Sequence, residues 1–169
     1  KGPDADESRD GLRQALQSIA AKAPERAAET AAALKKYPAF VNKPRRFRAL
    51  KSALSVAFET EKGSFTIQLA SAEDAGNHAA AFADSVKRGL YDGLNWHRVV
   101  TAFVVQGGDP RGSGWGNAGW RLADEVNRLP FARGTVGMPK AGKDTGGCQL
   151  FVSLVPTPHL DGRYSVFGS

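Results

Sequence analysis

Cysteine, methionine and histidine are scarce in this chain of 169 residues, which has one cysteine, one methionine and three histidines. A single cysteine, Cys148, excludes an internal disulfide and carries little information on the redox compartment. The histidines and Cys148 show none of the spacings that are typical of zinc ligands. We therefore expect neither a metal nor another cofactor.

Long apolar runs are also absent, and no run reaches the roughly 18 residues that indicate a membrane span. The chain begins at Lys1 without a basic segment followed by an apolar one, so we expect that any targeting segment has been removed or was never included. These absences favour a soluble protein and do not distinguish the cytoplasm from the periplasm.

Charge is distributed unevenly around the net value of +6. Residues 1–57 contain 12 Lys/Arg and 6 Asp/Glu, whereas residues 58–169 contain 11 of each. Residues 35–51 hold seven basic residues and no acid, which makes them a candidate surface for an anionic partner. The alternative is a solvated helix face. A nucleic acid is not expected there, because the block lacks the aromatic platform on which single strands stack.

Helical periodicity dominates residues 1–55. Apolar residues recur at helical spacing over roughly 9–22, and a second, alanine-rich segment begins at Pro24 and ends at Tyr37-Pro38. A third helix is predicted from Pro44, with Phe47, Leu50 and Leu54 on one face. We interpret residues 1–55 as a helical extension, either the end of a larger helical domain or a cap on the C-terminal domain.

Strand and turn patterns begin near residue 56. Val56–Thr60 and Ser64–Leu69 flank Glu61-Lys62-Gly63, which predicts a β-hairpin. A helix is predicted over Asn77–Arg88. The remaining short strands and glycine-rich loops favour a closed antiparallel barrel over alternating βαβ units. We therefore expect a mainly β domain over residues 56–169.

The most informative stretch runs from Trp96 to Asp109 and ends in Gly-Gly-Asp. Arg98 and Gln106 are eight residues apart, so on an unbroken strand they would share a face, with Phe103 on the other. A bend at Thr101-Ala102 would change this arrangement. An arginine, an aromatic ring and an amide suit a site that grips a peptide without attacking it.

This stretch, W-H-R-V-V-T-A-F-V-V-Q-G-G-D, closely resembles the signature of the cyclophilin-type peptidyl-prolyl isomerases, F-H-R-V-I-x-x-F-M-I-Q-G-G-D. Five further motifs resemble the family in order over roughly residues 56–169: Lys87–Gly93, Asp124-Glu125, Gly134–Met138, Cys148–Val152 and Leu160–Gly168. The resemblance implies an eight-stranded closed antiparallel barrel with capping helices. The family continues past V-F-G with a further helix and a barrel-closing strand, so we expect a C-terminally incomplete domain.

The resemblance implies prolyl cis–trans isomerisation of X-Pro bonds in protein substrates, which assists protein folding and needs no cofactor. No covalent bond breaks in this reaction; the site must bind the twisted amide better than either planar form. Arg98 would donate a hydrogen bond to the imide nitrogen, which regains its lone pair on twisting. Gln106 would steady Arg98 and hydrogen-bond the substrate backbone. The alternative is a catalytically weak module that holds proline peptides or a partner protein.

The remaining site residues also come from the resemblance. Phe103, Val104, Phe151 and Leu160 would hold the proline ring. Gln149 and the backbone of Pro139, Lys140 and Ala141 would border the peptide groove, although Pro139 lacks an N–H. Tyr164 stands where many members carry histidine, and His159 stands where animal members carry tryptophan. A cyclosporin-type ligand is therefore expected to bind weakly.

One competing motif is set aside. Gly114–Gly119 satisfies G-x-G-x-x-G, but Pro130 cuts short any helix after it, and Pro139 occupies the position where a dinucleotide site needs an acid. We predict that this segment is a loop.

Overall fold

The computed structural model describes residues 44–169, and this part of the chain is mainly β-structure with one α-helix. The two helices predicted before Pro44 and the basic residues up to Lys43 lie outside the described residues. The elements in chain order are β1 (Ser55–Thr60), β2 (Gly63–Gln68), α1 (Ala72–Lys87), β3 (Arg98–Val99), β4 (Val104–Gly107), β5 (Val136–Gly137), β6 (Leu150–Ser153), a 3-10 helix (Pro158–Leu160) and β7 (Val166–Gly168).

The first two strands form the predicted hairpin, with Thr60 opposite Gly63 at its tip. Gly63 has a φ of +123°, a conformation that residues with a Cβ rarely adopt. The Thr60 hydroxyl donates to the Gly63 carbonyl over 2.7 Å and fastens the turn. Phe58 and Phe65 lie opposite each other and stack with their ring centroids 4.9 Å apart.

The other five strands form an antiparallel sheet in the order β3-β4-β6-β5-β7. Backbone hydrogen bonds between Gln68 and Ser169, of 2.8 and 3.0 Å, join β2 to the end of β7. Among residues 44–169 the strands thus form a two-stranded and a five-stranded sheet that meet along one side. They do not form one continuously bonded ring, and residues 44–169 contain seven strands where eight were expected. The prediction of a closed barrel is therefore met only in the mainly β content and the antiparallel order.

Helix α1 begins at Ala72, five residues before the predicted start at Asn77. The Ser71 hydroxyl caps it by accepting the N–H of Asp74 over 3.2 Å. The helix is kinked at Ala75, where φ is −151°. Past the kink, the Glu125 carboxylate accepts the N–H groups of Asn77 and His78 over 3.0 and 2.8 Å. The apolar pattern of the sequence predicted only the turns from Asn77 onward, which follow this second cap. The second cap comes from Glu125, a residue distant in sequence.

Two groups of buried side chains lie within the described residues. The larger group packs α1 against β2 and β7, with the rings of Phe82 and Phe167 5.4 Å apart. The smaller group, which we call the site cluster, consists of Val104, Phe131, Phe151, Leu160 and Val166. The site cluster lies beneath the residues for which catalysis was predicted.

The helix predicted from Pro44 is absent: residues 44–54 contain neither helix nor strand. Their backbone groups instead bond to other elements, because Arg45 N–H donates to the Arg121 carbonyl and Phe47 N–H donates to Asn77 Oδ1, at 2.8 and 2.7 Å. Phe47, Leu50 and Leu54 nevertheless pack against the larger core. The spacing of these apolar residues predicted their burial correctly, but the backbone that carries them is irregular and not helical.

The described part of the basic block is exposed, and it comprises Arg45, Arg46, Arg48 and Lys51. An anionic partner for this block stays a prediction, as does the domain boundary at residue 55. Within residues 44–169, no helix has both the length and the apolar character that a membrane span requires.

Phe47→Ala tests the contribution of the irregular segment. The Phe47 ring meets Trp120 edge-on with centroids 5.0 Å apart, and the side chain is half-buried. We expect a loss of about 1–3 kcal/mol in the free energy of unfolding, less than a fully buried phenylalanine would lose. Urea unfolding measures this loss, with the exposed Arg48→Ala as control. A Phe47→Ala midpoint equal to that of Arg48→Ala would show that the segment adds no stability.

Candidate active site

A tight turn brings Arg98 opposite Gln106. The stretch is not one unbroken strand, because Val100–Phe103 form a turn in which Ala102 has a φ of +54°. The chain reverses there, and β3 pairs antiparallel with β4. Directly opposite residues of an antiparallel pair point to the same face. The Arg98 guanidinium is exposed, and its Nη1 donates to Gln106 Oε1 over 3.2 Å.

An apolar surface adjoins this pair on the same face of the sheet. Phe151 on β6 lies opposite Gln106, and Val104 precedes Gln106 by two residues on β4. Both apolar side chains are buried in the site cluster. The pairing of β4 with β3 and β6 therefore places a cation, an amide and an apolar floor side by side.

The remaining predicted pocket residues surround this floor. Leu160 reaches the site cluster from the 3-10 helix. The Tyr164 ring meets Phe151 edge-on at 5.9 Å and 89°. Phe103 stacks on the exposed His159 ring, with centroids 5.5 Å apart. Because the turn bends the chain, Phe103 lies with Val104 against the site cluster and does not project from the opposite face.

Gln149 immediately precedes β6, and its side chain contacts Gln106. Its Oε1 accepts Gln106 Nε2 over 2.9 Å. Its own Nε2 donates to the carbonyls of Gly114 and Gly116 over 3.0 and 2.8 Å. The predicted loop Gly114–Gly119 contains no helix, and it is joined to the site through these two hydrogen bonds from Gln149.

Pro139, Lys140 and Ala141 border the site less directly. Lys140 Nζ bonds Asp124 Oδ2 over 2.5 Å and lies 5.6 Å from the centroid of the Tyr164 ring. The exposed Ala141 uses its N–H internally, as a donor to Thr145 Oγ1 over 2.9 Å. Since proline has no N–H, neither Pro139 nor Ala141 offers a backbone donor to a peptide.

Two acidic residues that shape the site were not predicted to act there. Asp124 forms a salt bridge with Lys140, which is 16 residues away in the sequence, and no spacing pattern predicts such a contact. Asp109 is buried with 1% of its surface exposed, and its carboxylate accepts bonds from the loop immediately after it. An aspartate before Pro-Arg-Gly-Ser-Gly is typical of a side chain that organises its own turn, so this signal was available in the sequence.

Hydrogen bonding determines the ionisation of two carboxylates in this region, the buried Asp109 and the half-buried Glu125. Burial alone would raise the pKa of Asp109, but the N–H groups of Arg111, Gly116 and Gly114 and the Ser113 hydroxyl outweigh it and lower the pKa. Burial would likewise raise the pKa of Glu125. Hydrogen bonds from the side chain and N–H of His78 and from Asn77 N–H lower it instead. Both groups are therefore anionic at neutral pH.

Comparison with known proteins identifies the family. The family profile described as "Cyclophilin type peptidyl-prolyl cis-trans isomerase/CLD" matches residues 55–169. The chain belongs to this family. Its cyclophilin signature is the Trp96–Asp109 segment that carries Arg98 and Gln106. The resemblance inferred from the sequence is confirmed, and so is the activity class of the chain, a peptidyl-prolyl cis–trans isomerase.

Relatives and solved cyclophilins agree with this assignment. A peptidyl-prolyl cis-trans isomerase of Synechococcus elongatus is 44% identical over 110 residues, which cover 65% of this chain and 75% of that protein. One of Helicobacter pylori is 45% identical over 112 residues, covering 65% and 68%. The crystal structure of a Cryptosporidium parvum cyclophilin-type isomerase superposes with a TM-score of 0.66 at 28% identity, covering 70% of this chain and 77% of that one.

The bond between Glu125 and α1 predicts a loss of stability in acid. A carboxylate whose pKa is lowered on folding stabilises the native state above its unfolded pKa, near 4.5 for Glu125, and that contribution is lost as the pH falls through the folded pKa. The free energy of unfolding should therefore fall between about pH 5 and pH 3.

Glu125→Gln removes part of this pH dependence. Urea unfolding across the pH range should give a shallower acid decline for Glu125→Gln than for the wild type, whereas the exposed Glu61→Gln keeps the wild-type slope. Equal slopes for Glu125→Gln and the wild type would contradict the assignment.

Proposed function

We propose that Arg98 catalyses rotation about X-Pro bonds of polypeptide substrates that lie over Val104, Phe151 and Leu160. The supporting observation is that Arg98 and Gln106 share one face of the sheet with Val104 and Phe151. The proline ring would rest on the apolar floor, and the imide bond would lie under the exposed guanidinium. A structure of the Cryptosporidium parvum cyclophilin was determined in the presence of the dipeptide Ala-Pro, and this supports the choice of substrate class.

Catalysis of this rotation requires a site that binds the twisted amide more tightly than either planar form. Rotation crosses a barrier of about 18–20 kcal/mol because it breaks amide resonance. As resonance is lost, the imide nitrogen becomes a hydrogen-bond acceptor, and it accepts nothing in the planar forms. A donor aimed at this nitrogen therefore stabilises the transition state more than either ground state, which is the condition for catalysis.

The free energies involved indicate how far Arg98 and the pocket each lower the activation barrier. Acceleration by about five decades requires roughly 7 kcal/mol. A hydrogen bond from a charged donor contributes about 1.5–3 kcal/mol. Arg98 alone therefore supplies less than half of the effect. The remainder must come from holding the proline ring while the preceding residue rotates, which is the task we assign to the apolar floor.

Gln106 acts chiefly by holding the guanidinium. Its Oε1 accepts Arg98 Nη1, and its Nε2 donates to Gln149 Oε1. With both ends of the amide engaged, Gln106 has limited capacity for the substrate backbone. The guanidinium keeps further N–H donors for the imide nitrogen, since arginine carries five.

We also propose that the two sheets are parts of one closed antiparallel barrel. They are already bonded through Gln68 and Ser169, and an antiparallel bridge pairs Leu69 with Gly168. On the opposite side, a groove of about 810 Å³ separates β1 from Asn95-Trp96 and Gly107-Gly108. A strand paired along β1 in this groove would complete the ring and cover the edge of β1 that no strand of residues 44–169 pairs.

Arg98→Ala should lower kcat/KM for a proline peptide by about 10- to 100-fold, the equivalent of one charge-assisted hydrogen bond. Arg98→Lys should also be impaired, because a point charge does not replace the planar fork of donors. A protease-coupled peptide assay measures the activity, and circular dichroism with thermal unfolding verifies the fold. Wild-type kcat/KM in a folded Arg98→Ala variant would refute the proposed role.

His159→Trp should strengthen inhibition by a cyclosporin-type ligand. His159 is exposed and stacks on Phe103, so its imidazole offers little apolar area at the edge of the pocket. An indole adds area and an N–H donor. Inhibition constants for the two proteins give the comparison, with His159→Phe separating area from the donor. Tight inhibition of the wild type, unchanged in His159→Trp, would show that this position does not contact the ligand.

A further inference from the structure

Side-chain amides form a continuous chain of hydrogen bonds that leads away from Arg98. Arg98 Nη1 donates to Gln106 Oε1, Gln106 Nε2 donates to Gln149 Oε1, and Gln149 Nε2 donates to the carbonyls of Gly114 and Gly116. The successive donor–acceptor distances are 3.2, 2.9, 3.0 and 2.8 Å.

The two ends of this chain determine the orientation of both amides. A guanidinium only donates, so the atom of Gln106 that faces Arg98 must be its oxygen. Backbone carbonyls only accept, so the atom of Gln149 that faces Gly114 and Gly116 must be its nitrogen. One assignment satisfies every partner. Displacing the two carbonyls would therefore release Gln149 first, then Gln106, and finally the guanidinium.

Asp109 holds those two carbonyls in place. Its buried carboxylate accepts Arg111 N–H over 2.7 Å, Gly114 N–H over 2.5 Å and the Ser113 hydroxyl over 3.2 Å. The backbone of Gly116 packs so closely that an added Cβ would lie 1.8 Å from Asp109 Oδ1. Asp109 therefore fixes the conformation of the loop from Arg111 to Gly116 through these hydrogen bonds.

We infer that Asp109 is a positioning residue for the isomerase reaction, acting on the Arg98 guanidinium through the loop, Gln149 and Gln106. The inference rests on the proposed role of Arg98. Arg98 is exposed, and a long exposed side chain samples several rotamers unless a partner restrains it. The hydrogen-bond chain is that restraint, and the carboxylate of Asp109 is its anchor in the protein interior.

A double-mutant comparison tests the inference. Asp109→Asn is made in the wild type and in Arg98→Ala, and cis–trans exchange of a proline peptide is followed by NMR at high enzyme concentration. In the wild type we expect kcat to fall about 5- to 20-fold with KM changed less than about twofold, because the apolar floor that holds the proline ring is unchanged. In Arg98→Ala we expect Asp109→Asn to change kcat less than about twofold, because the group it positions is gone.

Glu125→Gln is the matched control, since it also alters a carboxylate that accepts backbone N–H groups, here a half-buried one, but lies outside the chain of hydrogen bonds. It should lower the melting temperature while leaving kcat within about twofold in both backgrounds. Ser113→Ala is a milder variant in the same loop and keeps the Asp109 carboxylate. It should lower kcat in the wild type by a smaller factor than Asp109→Asn and have no effect in Arg98→Ala.

The outcomes separate this inference from the proposed function. Unchanged activity in Arg98→Ala would overturn the catalytic role of Arg98 and the inference with it. An impaired Arg98→Ala combined with the same fold-loss from Asp109→Asn in both backgrounds would overturn the inference alone. If Asp109→Asn does not fold, Ser113→Ala decides: wild-type kcat together with unshifted side-chain amide signals of Gln106 and Gln149 would overturn the inference.

Discussion

Strand β4 pairs antiparallel with β3 on one side and with β6 on the other, and the rest of the site depends on this constraint. The pairings put Arg98, Gln106 and Phe151 in one row across the sheet. Because side chains alternate between faces, a slip of one residue in either register would turn Arg98 or Phe151 to the opposite face. The Val100–Phe103 turn and the buried site cluster are what hold the two registers.

The site combines rigid and restrained parts. Val104 and Phe151 are buried within the sheet, and Gly137 allows the rings of Phe151 and Phe131 to close over β5, since a Cβ there would lie 2.3 and 2.6 Å from them. Arg98, by contrast, is exposed and depends on hydrogen bonds for its position. This division suits a reaction in which the proline ring stays still and a charged donor meets the nitrogen only as the bond twists.

Much of the fold and of the candidate site could be predicted from the sequence. The β1–β2 hairpin was readable because Glu61-Lys62-Gly63 is a strong turn signal between two alternating runs. The residues assigned to the pocket come from several motifs that resemble the family, and the structure brings Phe103, Val104, Phe151 and Leu160 together around one apolar cluster. The apolar character of Phe47, Leu50 and Leu54 correctly indicated burial against the core.

The features that the sequence could not provide depend on tertiary contacts. The helix expected at Pro44 fails because Asn77 and Arg121 supply hydrogen bonds to the 44–54 backbone that no local pattern encodes. The start of α1 was missed because the helix has two caps, a local one from Ser71 and a distant one from Glu125. The pairing of Lys140 with Asp124 is a contact of the same kind, and it places a restrained cation beside Tyr164.

The central claim is that the site accelerates rotation by holding a guanidinium against the twisted bond. NMR exchange spectroscopy on a bound Ala-Pro peptide tests it most directly, because it separates the cis–trans rate on the enzyme from the affinity for each isomer. The comparison is between the wild type and Gln106→Leu, which keeps the approximate size of the side chain but removes the acceptor for Arg98 Nη1. The account predicts a several-fold slower on-enzyme rate with the two affinities altered little and equally. An unchanged on-enzyme rate, with only the affinities reduced, would contradict it.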